Sequence, residues 1–269
     1  MMEKAMQFEH HTFGERLKSM LKVDFTRMFT QPLVYIMLGV CLVMPVLILI
    51  MTSMMSGTTV DPVTGEETVI ETFTNVWQAI GSVSGESSGM SMDLTTMCNI
   101  NLIYFFAAIL VCLFVADDFR SGYAKNLFTV RSKKSDYVVS KTLVCFACCA
   151  GMMLCYFAGA MIGGAIAGLP FDLGSATAGG IVLCMLAKIF LLGVFVAIDL
   201  LVSVAAKQRL WMSIVGSFAV GMLLFMMIPM MTPLDSTFLN VILCLAGGAL
   251  FGAGLGAVSN VVLKKTSLV

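Results

Sequence analysis

Long apolar runs separated by short polar segments dominate the chain. Six stretches, at about 33–55, 99–116, 142–168, 178–204, 210–231 and 238–263, approach or exceed the roughly 20 helical residues that cross a hydrocarbon core of ~30 Å. The pattern predicts an all-α, polytopic membrane protein of six transmembrane helices. Residues 13–30 follow a different rhythm. At 100° per residue Phe13, Leu17, Met20, Leu21 and Met28 share one face, and Glu15, Arg16, Lys18 and Lys22 lie elsewhere. This segment reads as an amphipathic helix lying in the membrane interface. Asp24 falls within its apolar arc, which leaves two readings: a carboxylate reaching the headgroups or pairing with Arg27, or a partner contact on the protein side.

Composition agrees with this division. Only 12% of the 269 residues are charged against 59% hydrophobic, and mean hydropathy is +0.96. So little charge cannot cover a surface in water, where about 25% is usual. Net charge is zero, from 16 basic and 16 acidic residues, and gives no footprint for nucleic acid. The placement of those charges carries more. Fifteen basic residues fall before the first stretch, between the second and third, between the fourth and fifth, and after the sixth; the remaining one is Lys188. The alternate loops, 56–98, 169–177 and 232–237, hold no lysine or arginine but eight acids. The positive-inside rule then places both termini in the cytoplasm. The organisation is a tail and connecting helix over 1–32 and a transmembrane unit over 33–269, with an outer loop at 56–98 and an inner one at 117–141.

In the outer loop Pro62 and Gly65 bracket a turn, and 71–80 forms a short surface helix with Phe73 and Trp77 at headgroup level. The nine cysteines lie almost wholly within apolar runs, and Cys145-x-x-Cys148 has no second ligand pair; they read as small apolar filler. His10 and His11, the only histidines, make no metal motif. No Gly-Lys dipeptide exists, so no phosphate-binding P-loop is encoded, and no nucleophile–base pair supports an enzyme.

The inner loop 117–141, DDFRSGYAKNLFTVRSKKSDYVVSK, combines six basic and three acidic residues with Phe119, Tyr123, Leu127, Phe128 and Val130. A short helix opening at Ser121 or Gly122 aligns Tyr123, Leu127 and Val130 at i, i+4 and i+7. An apolar ridge among cations suits docking into a groove of a soluble partner, or adhesion to anionic lipid. Asp117, Asp118, Phe119, Arg120, Gly122, Tyr123, Lys125, Asn126, Leu127 and Arg131, with Tyr137 and Ser140-Lys141 opening the third stretch, resemble the pattern of type-2 ATP-binding-cassette (ABC) permeases. The Gly-Tyr-x-Lys-Asn form is similar to permeases of bacterial peptide-antibiotic immunity and peptide export.

The resemblance covers the six-span layout and the connecting helix with Asp24 and Arg27; its motif-level part spans about 25 residues. It departs at 232–237, which leaves room only for a turn where many members carry helices or a re-entrant hairpin. The resemblance implies a coupling helix seated on a cytoplasmic ATPase subunit, with Tyr123 and Leu127 as apolar anchors and Lys125 and Arg131 as charge partners. ATP and Mg would belong to that subunit, and this chain would bind no cofactor. It would work as a homodimer or beside a second permease in a bacterial cell membrane, exporting an amphipathic peptide or lipophilic compound.

Lys188 and Asp199 are ionisable groups inside the fourth stretch, where a charge is costly unless it faces protein or water. Eleven residues apart, they share a face but stand about 16 Å apart along the axis, too far to pair. They read as translocation-pathway residues or as structural groups satisfied by another helix. A secondary transporter or channel using them as coupling charges is the alternative function. Met226 and Met230 belong to a methionine-rich fifth stretch suited to an adaptable pathway lining or to lipid contact, and Pro45 and Pro229 would kink their helices. Gly-x-x-x-Gly spacings at Gly159/Gly163, Gly164/Gly168 and Gly248/Gly252/Gly256 point to close helix packing.

Overall fold

The computed structural model describes residues 12–54, 58–60, 67–69, 73–81, 98–130, 134–174, 176–206, 209–225 and 227–265. His10, His11, Arg131, Met226 and most of the outer loop lie outside them. The described helices are α1 (Phe13–Thr30), α2 (Pro32–Met54), α3 (Ile103–Arg120), α4 (Tyr123–Val130), α5 (Lys134–Ala167), α6 (Ala178–Ala206), α7 (Leu210–Phe225), α8 (Ile228–Met231) and α9 (Phe238–Lys265). The one addition to an all-helical chain among these residues is a hairpin in the outer loop. Strand β1 (Thr58–Val60) pairs antiparallel with β2 (Glu67–Val69), Thr58 opposite Val69, while the expected turn at Pro62 and Gly65 lies outside the described residues. Thr-Thr-Val and Glu-Thr-Val are short β-branched runs that suit such pairing.

Among the described residues, five helical segments are long and apolar enough to cross a membrane: α2, α3 with its preceding 3-10 turn (Ile100–Arg120), α5, α6 and α9. The stretch 210–231 is divided instead. It forms the 16-residue α7, turns at Met227, and resumes as the four-residue α8. Pro229 explains the break, since its ring meets the carbonyl four residues back, that of Phe225, and it supplies no N–H. By contrast α2 runs unbroken through Pro45.

Two helix pairs run side by side in the same direction: α2 with α5, and α6 with α9. Glycine sets both approaches. A Cβ at Gly159 would collide with the Leu42 carbonyl, and one at Gly163 would lie 2.7 Å from Val46 Cα. In the second pair a Cβ at Gly248 would come within 2.8 Å of the Phe190 carbonyl oxygen, whereas Gly252 faces open space. Helix α3 joins the pairs, packing on α5, α6 and α7. It is the most enclosed segment, with 67% of its apolar window buried against 11% for α9. Exposed Trp211, Val215, Leu223, Leu239, Leu250 and Phe251 leave α7 and α9 with broad apolar outer surfaces. An apolar solvent is what such a surface requires.

The expected helix at 71–80 is only a 3-10 turn, Val76–Ala79, capped by Asn75. Phe73, expected at the headgroups, is buried. The turn is drawn inward because Val76 N–H donates to the Pro170 carbonyl (3.2 Å) and Asn75 donates to that of Asp172. Trp77 stays half-buried, edge-on to Phe171 at 6.2 Å.

Candidate functional site

The helix ends rich in lysine and arginine converge on one buried cluster. Helix α1 begins with a capping box between Thr12 and Glu15 and turns Met20, Asp24 and Met28 inward at i, i+4 and i+8. It packs chiefly along α5. Asp24 is fully enclosed. Its carboxylate accepts a hydrogen bond from Ser140 Oγ (2.6 Å) and pairs with Lys141 Nζ (3.0 Å). Asp24 therefore neither reaches headgroups nor pairs with Arg27; its partners lie on this chain's own α5. The second turn of α5 points Ser140 and Lys141 at this face of α1.

Lys141 also pairs with Asp118 at 2.7 Å, and Asp118 pairs with Arg27 Nη1 at 2.6 Å. Tyr137 Oη donates to the same Asp118 at 2.9 Å. Two carboxylates and two cations thus alternate, Asp24–Lys141–Asp118–Arg27, and tie α1, α3 and α5 together. Lys141 lies over the Phe114 ring at 3.8 Å. Arg27 lies over the Tyr123 ring, also at 3.8 Å. Burial draws the Arg27 pKa downward, but the Asp118 charge and hydrogen bond, with Tyr123, outweigh it and leave the value raised. Burial also raises the Tyr123 phenol, helped by the charge of Asp24. Both groups therefore hold their protons more tightly than in water. Arg16 adds a bond to the buried Asp136 at 3.0 Å.

The expected coupling segment divides between this cluster and the exterior. Asp118 and Phe119 are buried, while Asp117 and Arg120 are exposed, Asp117 receiving Gln31 Nε2 at 3.3 Å. Gly122 adopts φ +75°, a left-handed conformation open to glycine, and reverses the chain from α3 into α4. Asn126 N–H then closes the first turn on the Gly122 carbonyl at 3.0 Å. Helix α4 turns its apolar side inward. Ala124 is buried, Tyr123 lies beneath Arg27, Leu127 packs on the core, and Phe128 meets Tyr137 edge-on at 5.3 Å. Lys125, Asn126 and Thr129 face out.

Lys188 is likewise enclosed but has no acidic partner among the described residues. Its ammonium donates to Asn101 Oδ1 (2.8 Å) and Thr232 Oγ1 (2.9 Å), and Thr232 in turn donates to the Ile228 carbonyl (2.8 Å). Tyr104 Oη donates to the Lys188 carbonyl at 3.1 Å. The lysine thereby links α6 to the foot of α3 and to the end of α8. Asp199 is buried beside Ser217, its Oδ2 unpartnered among the described residues. No direct contact joins it to Lys188. Met230 is exposed on α8.

The sequence reading did not single out Lys141 or Tyr137 as site residues, nor Asn101 or Thr232 as partners of Lys188. A lysine eight residues inside a helix end, opposite an aspartate in an apolar arc, was the available signal for the first pair. Thr232 offered none, because only the break at Pro229 brings it to Lys188. Comparison with protein-family models, with curated proteins and with solved structures finds no match.

Proposed function

We propose that the chain is the permease subunit of an ABC transporter in a bacterial cell membrane, with six crossings and both termini cytoplasmic. The fifth crossing is α7 completed by α8. The positive-inside distribution supports this topology. The observation that carries the functional reading is the double attachment of α4. Tyr123 holds it to α1 through Arg27, Phe128 holds it to α5 through Tyr137, and both contacts meet at Asp118 and Lys141. A push on α4 by a cytoplasmic ATPase subunit is then delivered to the ends of α1, α3 and α5 together. ATP and Mg reside on that subunit.

A second copy, or a similar permease, completes a path for an amphipathic peptide or lipophilic compound moving outward. Met226 and Met230 border that path, and Lys188 shapes it by fixing Thr232 at the end of α8. The exposed side of α4, with Lys125 and Asn126, meets the ATPase together with the following Arg131, while Tyr123 and Leu127 anchor the helix from within. Capture of the tagged chain from native membranes tests this. The expected result is an ATPase subunit retained with the wild type and lost with Tyr123→Ala plus Leu127→Ala. Wild-type chain purifying without any ATPase, or a double variant that keeps it, overturns the reading.

A further inference from the structure

Where α3, α6 and α7 meet, the apolar interior is interrupted by one thread of polar side chains. Asp199 and Ser203 stand one turn apart on α6, Ser213 and Ser217 one turn apart on α7, and Cys112 faces them from α3. All five are buried, Asp199 at 2% exposure. Ser203 and Ser213 hydroxyls lie 2.7 Å apart, Ser203 donates to Cys112 Sγ at 3.3 Å, Cys112 Sγ lies 3.4 Å from Ser217 Oγ, and Ser217 lies beside the Asp199 carboxyl. Serine and threonine in helices commonly bond the carbonyl four residues back, as Thr52 and Thr142 do here. These three serines bond across helices instead. Asp199 Oδ2 has no partner among the described residues.

We propose that Asp199 is a proton-binding carboxyl fed through this thread. An ionised carboxylate so enclosed, with neutral neighbours, is strongly disfavoured unless it takes up a proton or a cation. The donor set selects the proton: a thiol occupies the middle of the thread, whereas hard cations take shells of oxygen. The bond directions agree. An ionised carboxylate can only accept, so Ser217 donates to Asp199, Cys112 to Ser217, Ser203 to Cys112 and Ser213 to Ser203. Every hydrogen points toward Asp199. When one proton reaches Ser213 Oγ, one turn inside exposed Arg209, each group passes its own hydrogen one step on. Asp199 becomes neutral, the thread is left pointing the other way, and no redox partner is involved.

The ionisable groups facing Asp199 are few. Helix α3 contributes Cys112, α5 contributes Cys149, α7 none, and α9 has none between Cys244 and Lys264. No fixed charge among them holds the carboxyl in either state.

The inference is independent of the transporter reading, because it is tested on the full chain alone in lipid nanodiscs. Infrared spectra recorded across the pH range should contain a protonated-carboxyl C=O band at neutral pH, where exposed acids are ionised. That band should be lost in Asp199→Asn and should shift in deuterium oxide. Its deuterium exchange should slow in Cys112→Ala and in Ser217→Ala, both of which keep the carboxyl, and recover in Cys112→Ser. A neutral-pH spectrum without such a band, a band that survives Asp199→Asn, or unaltered exchange in both alanine variants overturns it.

Discussion

The cluster around Lys141 and the interior of α6 both bury charge, but they compensate it differently. At the first, Lys141 and Arg27 alternate with Asp24 and Asp118, so each buried ion meets an opposite one. At the second, Lys188 meets an amide oxygen and a hydroxyl, and Asp199 lies beside a serine. A balanced network holds one geometry at fixed ionisation, because losing any member strands a buried charge. A charge among neutral dipoles is held by hydrogen bonds alone, and a change in its protonation leaves no opposite ion stranded. The first arrangement suits a clamp, the second a group whose state changes.

The sharpest way to break this contrast is to remove the central cation. Lys141→Met should cost about 3–5 kcal/mol, because Asp24 and Asp118 then remain buried with too little positive charge. Thermal unfolding of the chain in nanodiscs reads the loss. Adding Asp24→Asn should recover part of it, giving a double variant less damaged than the sum of the singles. Strict additivity would mean that the two side chains do not act as a pair, and the clamp would be lost as an explanation.

Lys188→Met should cost less, about 1–3 kcal/mol, since it leaves Asn101 and Thr232 short of a donor but strands no charge. The same unfolding measurement checks it. A loss equal to that of Lys141→Met would reveal a counter-charge at Lys188 and erase the difference between the two regions.

Most of the helical layout was legible because hydrophobic run length is a local, cumulative signal. The turn at Met227 shows where that legibility ended. Pro229 was visible, but hydropathy sums across a break and returns one long stretch. Asp24 was visible as an anomaly in an apolar arc, yet its partner lies 117 positions further along the chain, at Lys141. Pairing at that separation depends on how α1 lies across α5, which no local pattern encodes. Of the expected ridge on α4, Tyr123 and Leu127 both lie on the inward side. The direction it faces was not readable, because an amphipathic helix beside its own protein has two candidate partners for its apolar side. The serines of the Asp199 thread are scattered singly among apolar residues and become a set only when three helices meet.

The smallest structural effect belongs to the exposed side of α4, and it separates clamp from contact surface. Lys125 faces away from the cluster and makes none of the bonds that hold α1, α3 and α5. Lys125→Glu should therefore leave the unfolding temperature unchanged, as exposed substitutions away from special features usually do. In the proposed complex the same change reverses a charge at the ATPase contact, so capture of the ATPase should weaken and should weaken more at low salt, where charge repulsion is least screened. Tyr123→Ala, on the inward side, should instead lower both stability and capture. If Lys125→Glu destabilises the isolated chain as Tyr123→Ala does, the two sides of α4 are not distinct, and the helix belongs wholly to the clamp.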